Sequence, residues 1–295
     1  MTEIFGIPVQ AFMGQLLIGL INGSFYALLS LGLAVIFGLL NIINFTHGAQ
    51  YMMGAFCAYL LLNKAGIGYW PALVIAPVLV GITGAVIERT MLKRLYSLDH
   101  LYGLLLTFGL ALIIQGLFRN EYGTSGQPYA MPKELTGGHN LGFMFLPTYR
   151  AWVIVFSLVV CFATWFIIEK TRLGAYLRAA TENPELVQAF GINVPRMITL
   201  TYGFGVGLAA LAGVMAGPIY QVSPQMGADL IIVVFAVVVI GGMGSIMGSI
   251  VTGFGLGIIE GLTKVFYPEA SNTVIFVIMA LVLLVKPAGL FGRER

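Results

Sequence analysis

The run AFMGQLLIGLINGSFYALLSLGLAVIFGLL, residues 11–40, contains no Asp, Glu, Lys or Arg. A helix rises 1.5 Å per residue and needs about 20 apolar residues to cross the hydrocarbon core of a bilayer. This stretch is therefore a membrane helix, and it is too long for one straight crossing. It tilts, or it breaks near Asn22-Gly23 or Gly38 into a crossing plus a short re-entrant piece. Outward from it, further apolar runs lie at 46–63, 70–90, 100–118, 150–168, 197–218, 229–246, 248–265 and 272–286. The expected fold is an all-α, polytopic membrane bundle with about 8–10 transmembrane helices, a single domain over residues 1–295.

Composition agrees. Of 295 residues, 59% are hydrophobic and only 9% charged, with a mean hydropathy of +0.94. A soluble domain carries roughly 25% charged residues to face water, so this chain cannot cover a soluble body of its size. The N-terminal Met-Thr-Glu-Ile-Phe-Gly lacks a basic n-region, and no cleaved signal peptide is expected. Cys57 and Cys161 sit inside apolar runs and read as small buried hydrophobes.

The net charge of +3 matters less than its placement. Lys and Arg cluster at Arg89/Lys93/Arg94, at Lys170/Arg172/Arg178/Arg196 and at Lys286/Arg293/Arg295. An excess of basic residues marks cytoplasmic loops, so the pattern is one of topology and not of nucleic-acid binding. It puts 88–99, 169–196 and the C-terminal tail in the cytoplasm and 119–149 outside, where Tyr122, Tyr129 and Tyr149 suit the interface.

Small-xxx-small pairs such as Gly213/Gly217, Gly253/Gly257 and Gly257/Gly261 predict close helix packing, the main source of association energy in lipid. Gly241-Gly-Met-Gly-Ser245 is denser than packing requires and predicts a helix break, tolerated at membrane depth only beside protein or a wet cavity. Asn22, Asn41, Asn44, His47 and Gln115 are uncharged polar residues inside or beside spans. Each is a candidate for lining a translocation path or for an interhelical hydrogen bond, and Gly241, Gly242 and Gly244 join them as candidates. Glu260 and Lys264, four apart, can pair on one helix face.

Enzyme chemistry has little to work with. The only aspartates, Asp99 and Asp229, are far apart, and His47, His100 and His139 show no HExxH spacing. No metal site or catalytic set is expected. Gly123-Thr-Ser-Gly126 matches a GxSG pattern, but in a loop without a positioned base. There is no GxxxxGK[ST] either, so no ATP cofactor is expected on this chain.

The most informative connection is Arg172-Leu-Gly-Ala-Tyr-Leu-Arg-Ala-Ala-Thr-Glu-Asn-Pro-Glu-Leu-Val-Gln-Ala-Phe-Gly-Ile192. Asn183 is a good N-cap, Pro184 suits the first helical position, Glu185 complements the helix dipole and Gly191 is a natural terminator. A helix of about two turns is not stable alone. Leu186, Val187 and Phe190 supply an apolar face, either for its own bundle or for a cleft on a partner.

This connection resembles the coupling loop of permease subunits in branched-chain amino acid ABC importers, through Arg172, Gly174, Arg178, Ala179, Asn183, Ala189, Gly191 and Ile192. Asn44-Phe-Thr-His-Gly48, Ile240-Gly-Gly-Met-Gly-Ser-Ile-Met-Gly248 and Lys286-Pro-Ala-Gly-Leu-Phe-Gly292 match the same family in the same order. The family often has Ala and then an acidic residue where Thr46 and Ala49 stand, so no substrate is read from that stretch. The resemblance implies a multi-pass subunit of the bacterial inner membrane, paired with a second homologous permease and served by two cytoplasmic ATPases and a periplasmic substrate-binding protein. It makes 183–191 the coupling helix, with Arg178 and Glu182 supporting its base. A self-sufficient secondary transporter or channel is the alternative, though such proteins carry mid-membrane carboxylates or proton relays and Glu260 is the main candidate here.

Overall fold

The computed structural model describes residues 3–4, 6–40, 43–142 and 144–292. Among these, eleven α-helices account for every expected apolar run: α1 Val9–Leu40, α2 Thr46–Ala65, α3 Tyr69–Thr90, α4 His100–Tyr122, α5 Thr148–Lys170, α6 Arg172–Glu182, α7 Pro184–Ala189, α8 Val194–Tyr220, α9 Met226–Gly241, α10 Ile246–Phe266 and α11 Val274–Val285. Two antiparallel hairpins complete the fold. They are β1 Glu3–Ile4 with β2 Ile7–Pro8, and β3 Gly138–Asn140 with β4 Phe145–Pro147, the second pairing His139 with Leu146.

Six helices, α1, α3, α4, α5, α8 and α10, are long and apolar enough to cross a membrane. The helix α2 is 20 residues long but carries His47, Gln50 and Asn63, and it survives because its polar start is buried in protein. At 16 and 12 residues, α9 and α11 extend about 24 and 18 Å, short of a hydrocarbon core of about 30 Å.

Of the two alternatives for the first run, a tilt or a break, the break is absent. The helix α1 is continuous over 32 residues. Its glycines serve contact with α10 instead: a methyl placed on Gly19 would lie 2.5 Å from the Gly257 carbonyl oxygen, and one on Gly23 3.0 Å from Cα of Phe254. With α8 and α2, this pair forms the centre of the bundle. The apolar stretch of α1 is 83% buried and that of α4 only 11%. Val74, Val78 and Ile82 on α3, Leu105 and Leu112 on α4, and Val159 and Phe162 on α5 face outward, as a lipid surface requires.

The expected break at Gly241–Ser245 is present, and it separates two helices. Gly242 and Gly244 have φ of +101° and +83°, a region that disfavours any side chain, and the Ser245 hydroxyl caps α10 by accepting from Gly248 N at 3.1 Å. The C-terminal segment closes over the gap. Leu290 N donates to Ile240 O at 2.8 Å and Phe291 N to Gly241 O at 3.1 Å, so carbonyls left open at the end of α9 are satisfied.

One end of the bundle gathers most of the basic residues. A cavity there is lined by Gly38 of α1, Glu169 of α5, Arg178 of α6 and Gly244 of the break. The Thr199 hydroxyl donates to Glu88 Oε2, which joins the start of α8 to the end of α3 at that same end. Arg89, Lys93, Arg94, Lys170, Arg172, Arg178, Arg196 and Lys286 therefore share it, whereas Lys64, Arg119, Lys133, Arg150 and Lys264 belong to the other.

Candidate functional site

At the basic end, α6 folds back on the end of α5. The approach is so close that a Cβ on Gly174 would collide with the Ile168 carbonyl. Arg178 locks the junction, donating to Ile168 O at 3.0 Å and reaching Glu169 Oε2 at 3.4 Å. The chain then turns at Asn183, whose Oδ1 accepts from Leu186 N at 2.9 Å, with Pro184 at the first position of α7. Gly191, at φ +82°, ends the helix, and its N donates to Gln188 O at 2.9 Å. The expected caps are all in place around six helical residues.

The apolar face divides in two. Val187 is 7% exposed and packs on Ala180 and Val194, so it belongs to the protein's own interior and corrects the expectation of an outward contact. Leu186 and Phe190 are 55% and 78% exposed. Glu182 is exposed and has no hydrogen bond or ion pair among the described residues, so Arg178 alone braces the base.

The polar residues expected along a path fall in separate places. Asn22 is the centre of a network joining α1, α8 and α10. It accepts from Tyr220 Oη at 2.6 Å and donates to Glu260 Oε1 at 3.3 Å, while Tyr26 Oη donates to Glu260 Oε2 at 2.6 Å and Lys264 pairs with the same carboxylate. Glu260 is buried, and a buried charge is tolerable only when paired and hydrogen-bonded in this way. Beside the network lies a cavity of about 280 Å³ lined by Asn22, Tyr26, Tyr51, Tyr220, Ser223 and Asp229. Phe25, Met226 and Leu230 complete its wall.

Asn44 and His47 are elsewhere, at the buried start of α2. Asn44 donates to Gln50 Oε1 at 3.2 Å. His47 Nε2 contacts the Leu29 carbonyl at 3.0 Å and must carry its proton there. Thr46 and Thr107 tie the same turn to α4. Gln115 donates to Gln225 Oε1 at 3.2 Å, linking α4 to the α8–α9 turn. Gly241, Gly242 and Gly244 lie at the helix break, packed on Gly248, Gly292 and Gly38. Asn41 lies outside the described residues. Of these candidates, Asn22 alone lines the polar cavity.

Sequence reasoning passed over Tyr26, Tyr51, Tyr220, Ser223 and Asp229. One signal was available for Tyr26, which follows Asn22 by four residues and so shares its helix face. The rest come from α2, α8 and α9, and only tertiary structure joins them.

The sequence model of the family described as "Branched-chain amino acid transport system / permease component" matches residues 15–284. The chain belongs to this permease family. The permease is 31% identical to the high-affinity branched-chain amino acid transport system permease protein LivH of Escherichia coli (strain K12), over 96% of both chains. It is 30% identical to BraD of Pseudomonas aeruginosa, described in the same words, over 97% of both. With the LivM permease protein of the same E. coli system it shares 27% identity, over 92% of this chain and 68% of LivM. No solved structure matches the permease. Its helices, fold and family together make it a multi-pass membrane transport protein.

Proposed function

We propose that this permease forms half of the transmembrane pore of an ATP-driven importer for branched-chain amino acids, paired with a second permease as LivH-like and LivM-like chains are both similar to it. Two ATPase subunits drive it from the cytoplasm, and a periplasmic binding protein delivers the solute. ATP binds the partner subunits, since this chain has no P-loop. The basic end faces the cytoplasm of a bacterial inner membrane, with eight basic residues there against five at the other end among the described residues. The 169–196 connection is then cytoplasmic and 119–149 periplasmic.

One observation carries the reading: α7 is capped at both ends, braced through α6, and still leaves Leu186 and Phe190 in water at the basic end. A rigid helix with an uncovered apolar contact is suited to a cleft on another protein. The buried Glu260 is what a secondary transporter would offer, but Lys264, Tyr26 and Asn22 already occupy it.

The test is reconstitution. Leucine accumulation in proteoliposomes should require ATP, the ATPases, both permeases and the binding protein. Accumulation driven by an ion gradient with this chain alone would assign it to the secondary transporters.

A further inference from the structure

The 280 Å³ cavity is close to the lower end of small-molecule sites, which run from roughly 300 to 1,000 Å³. Its polar groups are of two kinds. Asn22, Tyr26 and Tyr220 are spent on one another and on Glu260. The side chains of Tyr51, Ser223 and Asp229 make no hydrogen bond or ion pair among the described residues. Tyr51 is only 1% exposed as a residue and lines the cavity, where its hydroxyl has no hydrogen bond that the protein supplies among the described residues. Asp229, in the first turn of α9, is an exposed acidic side chain at the rim of the cavity, with no cation partner among the described residues.

Two free hydroxyls and one free carboxylate, set beside Phe25, Met226 and Leu230, have the complement of a particular solute. We infer that this cavity receives a zwitterionic α-amino acid with an aliphatic side chain. Asp229 accepts from the ammonium group, Tyr51 and Ser223 donate to the carboxylate, and the apolar wall covers the side chain. The cavity lies between the end of α8 and the start of α9, at the end of the bundle opposite α6 and α7, where a solute enters before any ATP-driven step. The solute class rests on the importer reading; the site itself rests on the cavity.

The experiment uses the full permease pair in detergent, with Ser223 and the other lining residues of the cavity intact. Leucine should protect the pair against thermal unfolding, with the leucine concentration for half-maximal protection as the readout. At equal concentration, 4-methylpentanoate (no ammonium) and 3-methylbutylamine (no carboxylate) should not. Asp229→Asn should weaken leucine protection by at least about tenfold, the scale of a lost charge-assisted hydrogen bond, and Asp229→Glu should restore part of it. Equal protection by the amine would overturn the zwitterion assignment in favour of a cation site. Unaltered protection in Asp229→Asn, or none in the parent, would overturn the site even if ATP-driven leucine uptake by the complete importer were intact. Protection without ATP-driven uptake would keep the site and overturn the importer reading.

Discussion

The break between α9 and α10 and the α6–α7 connection lie at the same end of the permease, and glycines and capping residues mark both in the sequence. At the break, the chain completes itself. Ser245 caps α10, Leu290 and Phe291 take up the carbonyls ending α9, and a Cβ on Gly242 would lie 2.5 Å from Gly292 N. At α7 the backbone is equally well satisfied by Asn183 and Gly191, but Leu186 and Phe190 have no cover. A glycine-dense turn sealed by its own chain is a structural joint. A capped helix with bare apolar side chains is, on the proposed reading, the surface that a partner protein covers.

That contrast can be broken most forcefully at Gly242. Leucine there would combine a backbone at φ +101° with a collision against Gly292, a loss of about 2–5 kcal/mol. Thermal unfolding followed by size-exclusion chromatography should show little folded Gly242→Leu permease. A variant as stable as the parent would mean that the C-terminal segment does not seal the break.

Within α7 the same kind of damage should follow from the inward residue. Val187→Glu would bury a charge beside Ala180 and Val194 and should cost about 2–4 kcal/mol of local stability. Hydrogen exchange should accelerate over 177–194 and leave α1 and α10 unchanged. The smallest effect belongs to the cap: Asn183→Ala should cost about 1 kcal/mol, seen as roughly fivefold faster exchange at the amides of α7. Unchanged exchange in both variants would place the stability of this segment outside its own packing and cap.

Helices and their ends were legible in the sequence because both are local. Apolar length fixed the spans, and Asn183, Pro184 and Gly191 fixed α7 through bonds spanning three or four residues. Gly23 was misleading, since a glycine that breaks a helix and one that admits a neighbouring helix look alike until α10 is in view. Val187 and Leu186 likewise differ only in which way a six-residue helix rolls against α6, which its packing decides. The cavity was least legible. Tyr51, Tyr220 and Asp229 meet there from three helices, and Asn44, His47 and Gln115, equally polar in the sequence, are bound up in hydrogen bonds elsewhere.

The measurement closest to the central claim is co-purification of the ATPases with a Leu186→Glu/Phe190→Glu permease, alongside leucine uptake. Both side chains are exposed, so permease stability should stay within about 0.5 kcal/mol of the parent, and pairing with the second permease should persist. The account predicts that the ATPases dissociate, or remain and hydrolyse ATP without uptake. Co-purification and uptake at parental levels would make α7 an ordinary surface helix and contradict the account.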